Sequence, residues 1–492
     1  MRLALTGRAR WLFETTGSLT HRTARAGLWL AIGDGCARAA GILKVIILAR
    51  LLSPSEFGVM GVALLVTTWV QYFSELGFTA ALIHKQGDIR PYLNTAWTIQ
   101  LVRSAGLTIL VIAVAPLVGW AFNEASATAV LQVLAVQLLL QGLTNPAVVF
   151  LRKELDTRRE FVWRATGVVA GLAVGIPAAF VLRSVWALVL SLLAASLAET
   201  IASYWVKPYM PWFQVDWAKA RELTRFGRWI FSFRAVGFFT GNLDSLVVGK
   251  VLGATQLGLY QMAFQMAVVP TATFGVHLHG VMFPAFAKLA DDRSRRGAFL
   301  RALGIVSSIV IPVGLFFTVF GDFFVDLLLG PRWEGIKSLV EILAWVGVIK
   351  AMTTLVGAFL LATGRPDLDF RTALPKLAIL ALCLYPASSL YGLRGVAVVL
   401  VVATVAGALY QLSVLLGAVS FPARDLATSM RGGLIGSAPF AVSWLILAVS
   451  TASVPLIAGL STVLYLIVIA NALHGVLAGR GGVEAVSVRT GS

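Results

Sequence analysis

The 492-residue chain is 58% hydrophobic and 13% charged, against roughly half apolar and a quarter charged in soluble domains, which excludes a soluble enzyme. Its two cysteines, Cys36 and Cys383, fall in separate apolar runs and offer no disulfide scaffold. A net charge of +17 in so apolar a chain points to basic loops facing the cytoplasm rather than to nucleic acid.

Residues 1–26 are basic and lack an apolar core followed by a small-residue cleavage site, so they read as a cytoplasmic tail and not as a cleaved signal peptide. A bilayer crossing takes about 20 mostly apolar residues. By that measure the chain predicts fourteen spans: 27–50, 57–83, 94–121, 127–150, 161–182, 184–206, 229–250, 256–285, 298–320, 337–363, 372–391, 394–420, 432–451 and 453–478. The longest connection, 207–228, holds Pro208, Pro211, Trp212 and Trp217 and reads as an interfacial cytoplasmic linker between two halves. The expected architecture is an all-α polytopic membrane protein. It comprises a six-helix bundle over 27–206, the linker 207–228, a second six-helix bundle over 229–420, two additional transmembrane helices within 421–479 and a short cytoplasmic tail, 480–492.

Basic residues test this count, because cytoplasmic loops retain Lys and Arg and a missed span would put the loops out of phase. Alternate loops, counted from the N-terminus and taken with the first five residues of the span that follows each, carry 29 of the 40 basic residues. The opposite set carries six, Arg50, Arg183, Lys250, Arg332, Lys337 and Arg394. Both termini are therefore expected in the cytoplasm.

The two halves align at a shift of 200 residues. RAGLW at 25–29 meets RFGRW at 225–229, and ARLLSPSEFGVM at 49–60 meets GKVLGATQLGLY at 249–260. Both blocks flank corresponding spans. Six spans per repeat is an even number, so the copies share an orientation and are related by a pseudo-twofold axis along the membrane normal.

Enzyme signatures are scarce. His277 and His279 are two apart, on nearly opposite helix faces, and make a poor metal clamp. GPRWEGIKS at 330–338 has Ile336 where a phosphate-binding loop needs Lys, and no strand precedes it. No metal or cofactor is expected.

Charges inside spans carry the information, since an ionised group in hydrocarbon is costly and normally faces a partner or water. Five cations lie there beyond the span edges: Arg38, Lys44, Arg103, Arg234 and Lys350. Arg38 and Lys350 fall mid-span and are expected to face one aqueous chamber; Lys44 and Arg234 lie nearer span ends, where long side chains reach the headgroups. Asp34, Glu75 and Asp244 are candidate counter-charges or ion-coupling groups, with Asp34 four residues before Arg38 on one helix face. Such a cationic chamber would select an anionic solute. Pro270, Pro312, Pro375 and Pro386 are candidate hinges.

The stretches ILARLLSPSEFGVMGVA (47–63), FSELGFTAALIHK (73–85), FLRKELDTRREFVWR (150–164), LGLYQMA (257–263), VMFPAFAKL (281–289) and YGLRGVAVV (391–399) resemble polysaccharide flippases of the multidrug/oligosaccharidyl-lipid/polysaccharide exporter superfamily. The resemblance is to the branch of exopolysaccharide and colanic-acid-type exporters. It implies two six-helix lobes around a central cavity that opens alternately to each membrane face, and as cargo an oligosaccharide on an isoprenoid diphosphate. It also implies work beside a polysaccharide polymerase and chain-length or export proteins. A peptidoglycan-precursor flippase and a drug/cation antiporter are the alternatives within the superfamily. A membrane glycosyltransferase or polymerase is the alternative of another class.

Overall fold

The computed structural model describes residues 35–478 except 36, 38, 75–80, 84, 86, 155, 290, 418–420 and 450–452, and for 223–236, 448–449, 468 and 470–478 the backbone alone. The described residues are helical almost throughout. Eight helices among them are long and apolar enough to cross a membrane, and two bent helix pairs reach that length when each pair is taken as one span. The chain divides into two compact units, Met1–Gly258 and Leu259–Ser492.

In the first unit, α1 (39–51) and α2 (Pro54–Ser74) are followed by α3 (Arg90–Ala121), whose Arg90 is followed at once by Pro91. Proline suits this first turn because its missing N–H would have no intrahelical partner there. The expected span 127–150 is two helices end to end, α4 (Ala125–Leu134) and α5 (Val136–Gly142). It stops short at Gly142, because Asn145-Pro146 opens a separate 3₁₀ turn over Pro146–Val148. α6 (Thr157–Leu182) and α7 (Trp186–Val206) form an antiparallel pair. Gly167, Gly171 and Gly175 repeat every fourth residue along α6, and a β-carbon at Gly175 would lie 2.6 Å from the Ser191 side chain on α7. Small residues at that spacing let two helices approach where dispersion rather than a hydrophobic drive holds them together.

α8 (Trp217–Val247) starts twelve residues before the expected span, inside the linker. Asp216 explains the early start: its carboxylate accepts from the Ala218 and Lys219 amides at 3.0 and 3.2 Å, a helix N-cap. A π-turn over Val248–Leu252 and Gly253, at φ 88°, lead into α9 (Ala254–Ala267). A β-carbon on Gly58 would overlap the Ala254 carbonyl, and one on Gly258 would overlap the Pro54 carbonyl. Positions 54 and 58 correspond to 254 and 258 under the 200-residue repeat. Equivalent residues packing reciprocally is what a twofold axis requires, so the internal symmetry read from the sequence appears here as a contact.

In the second unit the chain bends by 54° between α9 and α10 (Val269–Lys288), with Pro270 in the first turn of α10. That hinge expectation coincides with a real break, whereas Pro312, Pro375 and Pro386 lie inside continuous helical stretches. α11 (Asp292–Leu328) and α12 (Lys337–Ala362) pack antiparallel, Gly314 against Val348 and Gly321 against Val340. The stretch α13 (Pro366–Gly417) is a hairpin of two spans and not one long helix. Gly392, at φ 58° and ψ −143°, turns the chain, and Gln411 Nε2 donates back to Thr372 Oγ1 at 3.2 Å. The two expected spans 372–391 and 394–420 are thus its two arms. α14 (Ala423–Ser429), α15 (Arg431–Val449) and α16 (Val454–Ala478) follow, with α15 parallel to α11: Gly432 and Gly436 sit against Ser308 and Pro312.

Loops of one predicted phase collect at one end of each unit. In the first unit Lys153 Nζ donates to the carbonyls of Lys85 and Gly87, and Lys207 pairs with Glu154 at 3.0 Å, so the loops near 85, 154 and 207 meet. At the other end Lys250 Nζ donates to the Ala121 carbonyl. In the second unit Phe286, Phe299, Phe359 and Phe421 stack at centroid separations of 5.0–6.3 Å, tying together the basic segments near 290, 365 and 424.

Candidate functional site

The basic-loop end of the first unit holds a cleft of about 850 Å³ lined by Thr98, Ile99, Val102 and Arg103 of α3, by Val215, and by Trp217, Ala218, Ala220 and Arg221 of α8. Its shape depends on how the segment Tyr209–Asp216 is fastened. Asn94 Oδ1 accepts from the Tyr209 hydroxyl at 2.7 Å and from the Trp212 amide at 3.2 Å, and its Nδ2 donates to Gln214 Oε1 at 3.2 Å. Thr98 Oγ1 accepts from the Gln214 amide at 3.0 Å and Thr95 Oγ1 from the Asp216 amide at 3.2 Å. Asn94, Thr95 and Thr98 thus give an extended strap, poor in backbone partners of its own, a ladder of side-chain bonds along α3. The edge contact of Phe213 with buried Trp97, centroids 5.2 Å apart, adds an apolar fastener.

Because the strap ends at the Asp216 cap, the first turns of α8 are fixed against α3. Arg221 follows Trp217 by one helical turn, which brings both into the cleft. Glu222, the next residue, takes Lys85 Nζ on one oxygen and the Tyr92 hydroxyl, at 2.9 Å, on the other. Those two bonds hold the Glu222 carboxyl below the usual range, and the Glu222 and Tyr92 contacts raise Lys85. Lys219 pairs with Asp216 at 3.0 Å, and that hydrogen bond lowers Asp216.

Glu222 and Asp216 beside the cleft engage Lys85 and Lys219, and Arg103 and Arg221 are among the residues that line the cavity. Arg103 is half-buried, and its Nη1 donates to the Ser74 carbonyl at the end of α2, at 2.7 Å. A guanidinium has five N–H donors in a planar fork. One bond sets its heading and leaves a face suited to a bidentate oxyanion. With Ile99, Val102, Val215 and Trp217 on the remaining walls, the cleft accepts a molecule with an anionic group on an apolar body.

Among the described residues, Arg103 is the one span cation that lines this cleft. Lys44 is half-buried elsewhere in the first unit, where Nζ donates to Ser191 Oγ at 3.3 Å and Ser191 in turn donates to the Gly171 carbonyl at 2.8 Å. Lys350 lies midway along α12 in the second unit, and its carbonyl accepts from Thr353 and Thr354. Asp244 is buried near the end of α8. Arg38, Asp34 and Glu75 fall outside the described residues, as does the side chain of Arg234. Arg221 escaped the sequence reading because it was counted as a loop cation. The signal was Asp216 followed by Trp217 and Arg221 at helical spacing, an N-cap that starts the helix early.

Residues 47–338 match the family described as polysaccharide biosynthesis protein. The chain is 25% identical over 357 residues to the lipopolysaccharide biosynthesis protein WzxC of Escherichia coli K12, covering 72% of this chain and 73% of that one. It is 25% identical over 307 residues to the succinoglycan biosynthesis transport protein ExoT of Rhizobium meliloti, 61% of each chain. Its fold matches the lipid II flippase MurJ in an inward closed conformation with a TM-score of 0.74 at 15% identity, over 92% of this chain and all of that one.

Proposed function

Because this chain belongs to the polysaccharide biosynthesis protein family, we propose that it is a flippase that moves an isoprenoid-diphosphate-linked oligosaccharide across the bacterial inner membrane by alternating access. The cargo would feed exopolysaccharide, lipopolysaccharide or capsule assembly. The observation that carries this reading is the pair Arg103 and Arg221 in one amphipathic cleft at the basic-loop end of a multi-pass chain. A diphosphate on a lipid is the class of molecule that such a cleft fits: the anion meets two guanidinium forks while the isoprenoid stays against apolar wall and bilayer. Sugars and diphosphate need a polar route because each hydroxyl or charge exposed to hydrocarbon costs several kcal/mol, on the order of 2–7 per uncompensated hydroxyl.

On this reading Arg103 and Arg221 capture cargo from the cytoplasmic leaflet, and Arg38, Lys44, Arg234 and Lys350 supply positive charge farther along the route. Asp34, Glu75 and Asp244 are the candidates for counter-charge or ion coupling. The termini lie in the cytoplasm, a placement supported by the excess of basic residues in alternate loops. A polymerase and chain-length or export proteins would act on the delivered unit. No bond is made or broken in the cargo. The test is purified chain in liposomes with a labelled isoprenoid-diphosphate oligosaccharide: the label should change leaflet while its mass stays constant. Covalent extension of the sugar would instead identify a glycan-elongating enzyme.

A further inference from the structure

A second cleft, of about 530 Å³, lies in the other unit, away from the residues used above. One wall is a single stripe of α11, in which Leu300, Arg301, Gly304, Ile305, Ser308 and Ile309 recur at intervals of three and four. α14 and α15 face that stripe, and Ile469 of α16 completes the lining. Two glycines set the approach. A β-carbon on Gly304 would lie 3.0 Å from the Ser429 carbonyl, and one on Gly432 would lie 2.6 Å from Ser308 Oγ. Tyr465 fixes α16 to the same place, its hydroxyl donating to the Ser308 carbonyl at 3.2 Å.

The cleft is graded in polarity. Arg301 and Asp425, from α11 and α14, are both exposed and both line it. The Arg301 guanidinium folds back beside Gly297, toward the helix start and the basic segments. Ile305, Ile309 and Ile469 form the wall on the other side, toward the middle of the spans. An anionic group alone would be attracted by Arg301 and repelled by Asp425, and a cationic group alone would meet the reverse. A molecule with a phosphate and an ammonium a few bonds apart satisfies both charges, and an acyl chain suits the isoleucine wall.

We propose that this cleft seats one zwitterionic, amine-bearing phospholipid, with its phosphate on Arg301, its ammonium on Asp425 and an acyl chain along Ile305, Ile309 and Ile469. The last three helices thereby gain a function separate from the cargo cleft, as the lipid fills the gap between them and α11. Dioleoyl phosphatidylethanolamine is the probe. The full chain, stripped of lipid in detergent, is titrated with it and with the phosphatidylglycerol and phosphatidylcholine of the same chains, and bound lipids are counted by native mass spectrometry. One ethanolamine lipid per chain should be retained at a half-saturating concentration about two- to fivefold below that of either other lipid, the discrimination that partly exposed charge pairs give.

Arg301→Gln should weaken binding of the ethanolamine and glycerol lipids alike, whereas Asp425→Asn should remove the preference between them. Ile309→Trp fills the apolar wall without touching either charge and should lower occupancy of all three lipids. Each variant is checked for an unchanged melting temperature without lipid; if Arg301→Gln or Asp425→Asn fails that check, Ile309→Trp and the wild-type lipid ranking decide. Equal binding of the three lipids overturns the proposal, as does an Asp425→Asn protein that still prefers ethanolamine. Tighter binding of an isoprenoid phosphate at the same cleft also overturns it and assigns the cleft to cargo.

Discussion

Asn145 should be the most sensitive uncharged position in the first unit. It is fully buried; its amide donates to Ser203 Oγ at 3.0 Å, its Oδ1 accepts from the Ala147 amide at 2.9 Å, and its Nδ2 donates to the carbonyls of Ser203 and Lys207 at 3.3 and 2.7 Å. It therefore joins the start of the 3₁₀ turn to the end of α7, where the strap over α3 begins. Asn145→Ala leaves the Ser203 carbonyl with the Lys207 amide as a partner but strips the buried Ala147 N–H and the Lys207 carbonyl. An unsatisfied buried group costs about 1–3 kcal/mol, and Lys207 is only half-buried, so the loss should total about 2–4 kcal/mol. Asn145→Asp keeps the Ala147 bond but turns a carboxylate oxygen toward two carbonyls, so it should be worse than alanine at neutral pH and recover as the pH falls and the acid becomes a donor. Thermal unfolding of the purified variants gives the order Asn, Ala, Asp at pH 7. An aspartate variant as stable as wild type would refute the reasoning.

Three further outcomes are expected. Gly258→Ala pushes a β-carbon into the Pro54 carbonyl, backbone against backbone, and should cost about 1–3 kcal/mol by overpacking; Gly106→Ala, where nothing lies within 4 Å, should be neutral or mildly stabilising in the same unfolding assay. In the Lys85–Glu222 contact the Glu222 carboxyl is lowered and the Lys85 ammonium raised. Its contribution should be full above the ordinary glutamate value of about 4.3 and lost as pH drops through the lower folded value; it should persist below about 10.4 and be lost as pH climbs through the raised lysine value. The melting difference between wild type and Glu222→Gln should therefore be flat from about pH 5 to 10 and shrink outside that window. Cysteines at Arg158 and Arg295 should react with an impermeant thiol reagent only from the cytoplasmic side, and one at Ala125 only from outside; Ala125 and Arg295 reacting from one face would overturn the span count.

The sequence exposed what hydrophobic length and charge phase govern. An all-helical, multi-span chain and a 200-residue repeat were legible because each is written in many residues at once; among the described residues eight helices, or ten with the two bent pairs, are long and apolar enough to cross a membrane. The repeat then reappears as the reciprocal Gly58 and Gly258 contacts. Single-residue decisions were harder to read. Asn145-Pro146 ends a span in the middle of an apolar run, and Asp216 starts α8 inside a stretch whose prolines and tryptophans suggested a loop. Gly392 turns the α13 hairpin at the break that apolar length places between 391 and 394. At the candidate site, Arg103 stood out as a charge inside a span. Arg221 did not, because its place depends on the strap ladder from Asn94, Thr95 and Thr98, and such cross-chain side-chain bonds leave no periodic trace.

The central claim, that Arg103 and Arg221 receive the cargo diphosphate, is tested most directly by initial flipping rates in liposomes for wild type, Arg103→Gln, Arg221→Gln and the double variant, with incorporation and melting temperature matched. Hydrogen bonds to a charged group contribute about 1.5–3 kcal/mol, so each single change should slow flipping at low cargo concentration by on the order of tenfold or more. If both forks grip one diphosphate, the double variant should lose less than the product of the two single losses. Wild-type rates in the double variant would contradict the account.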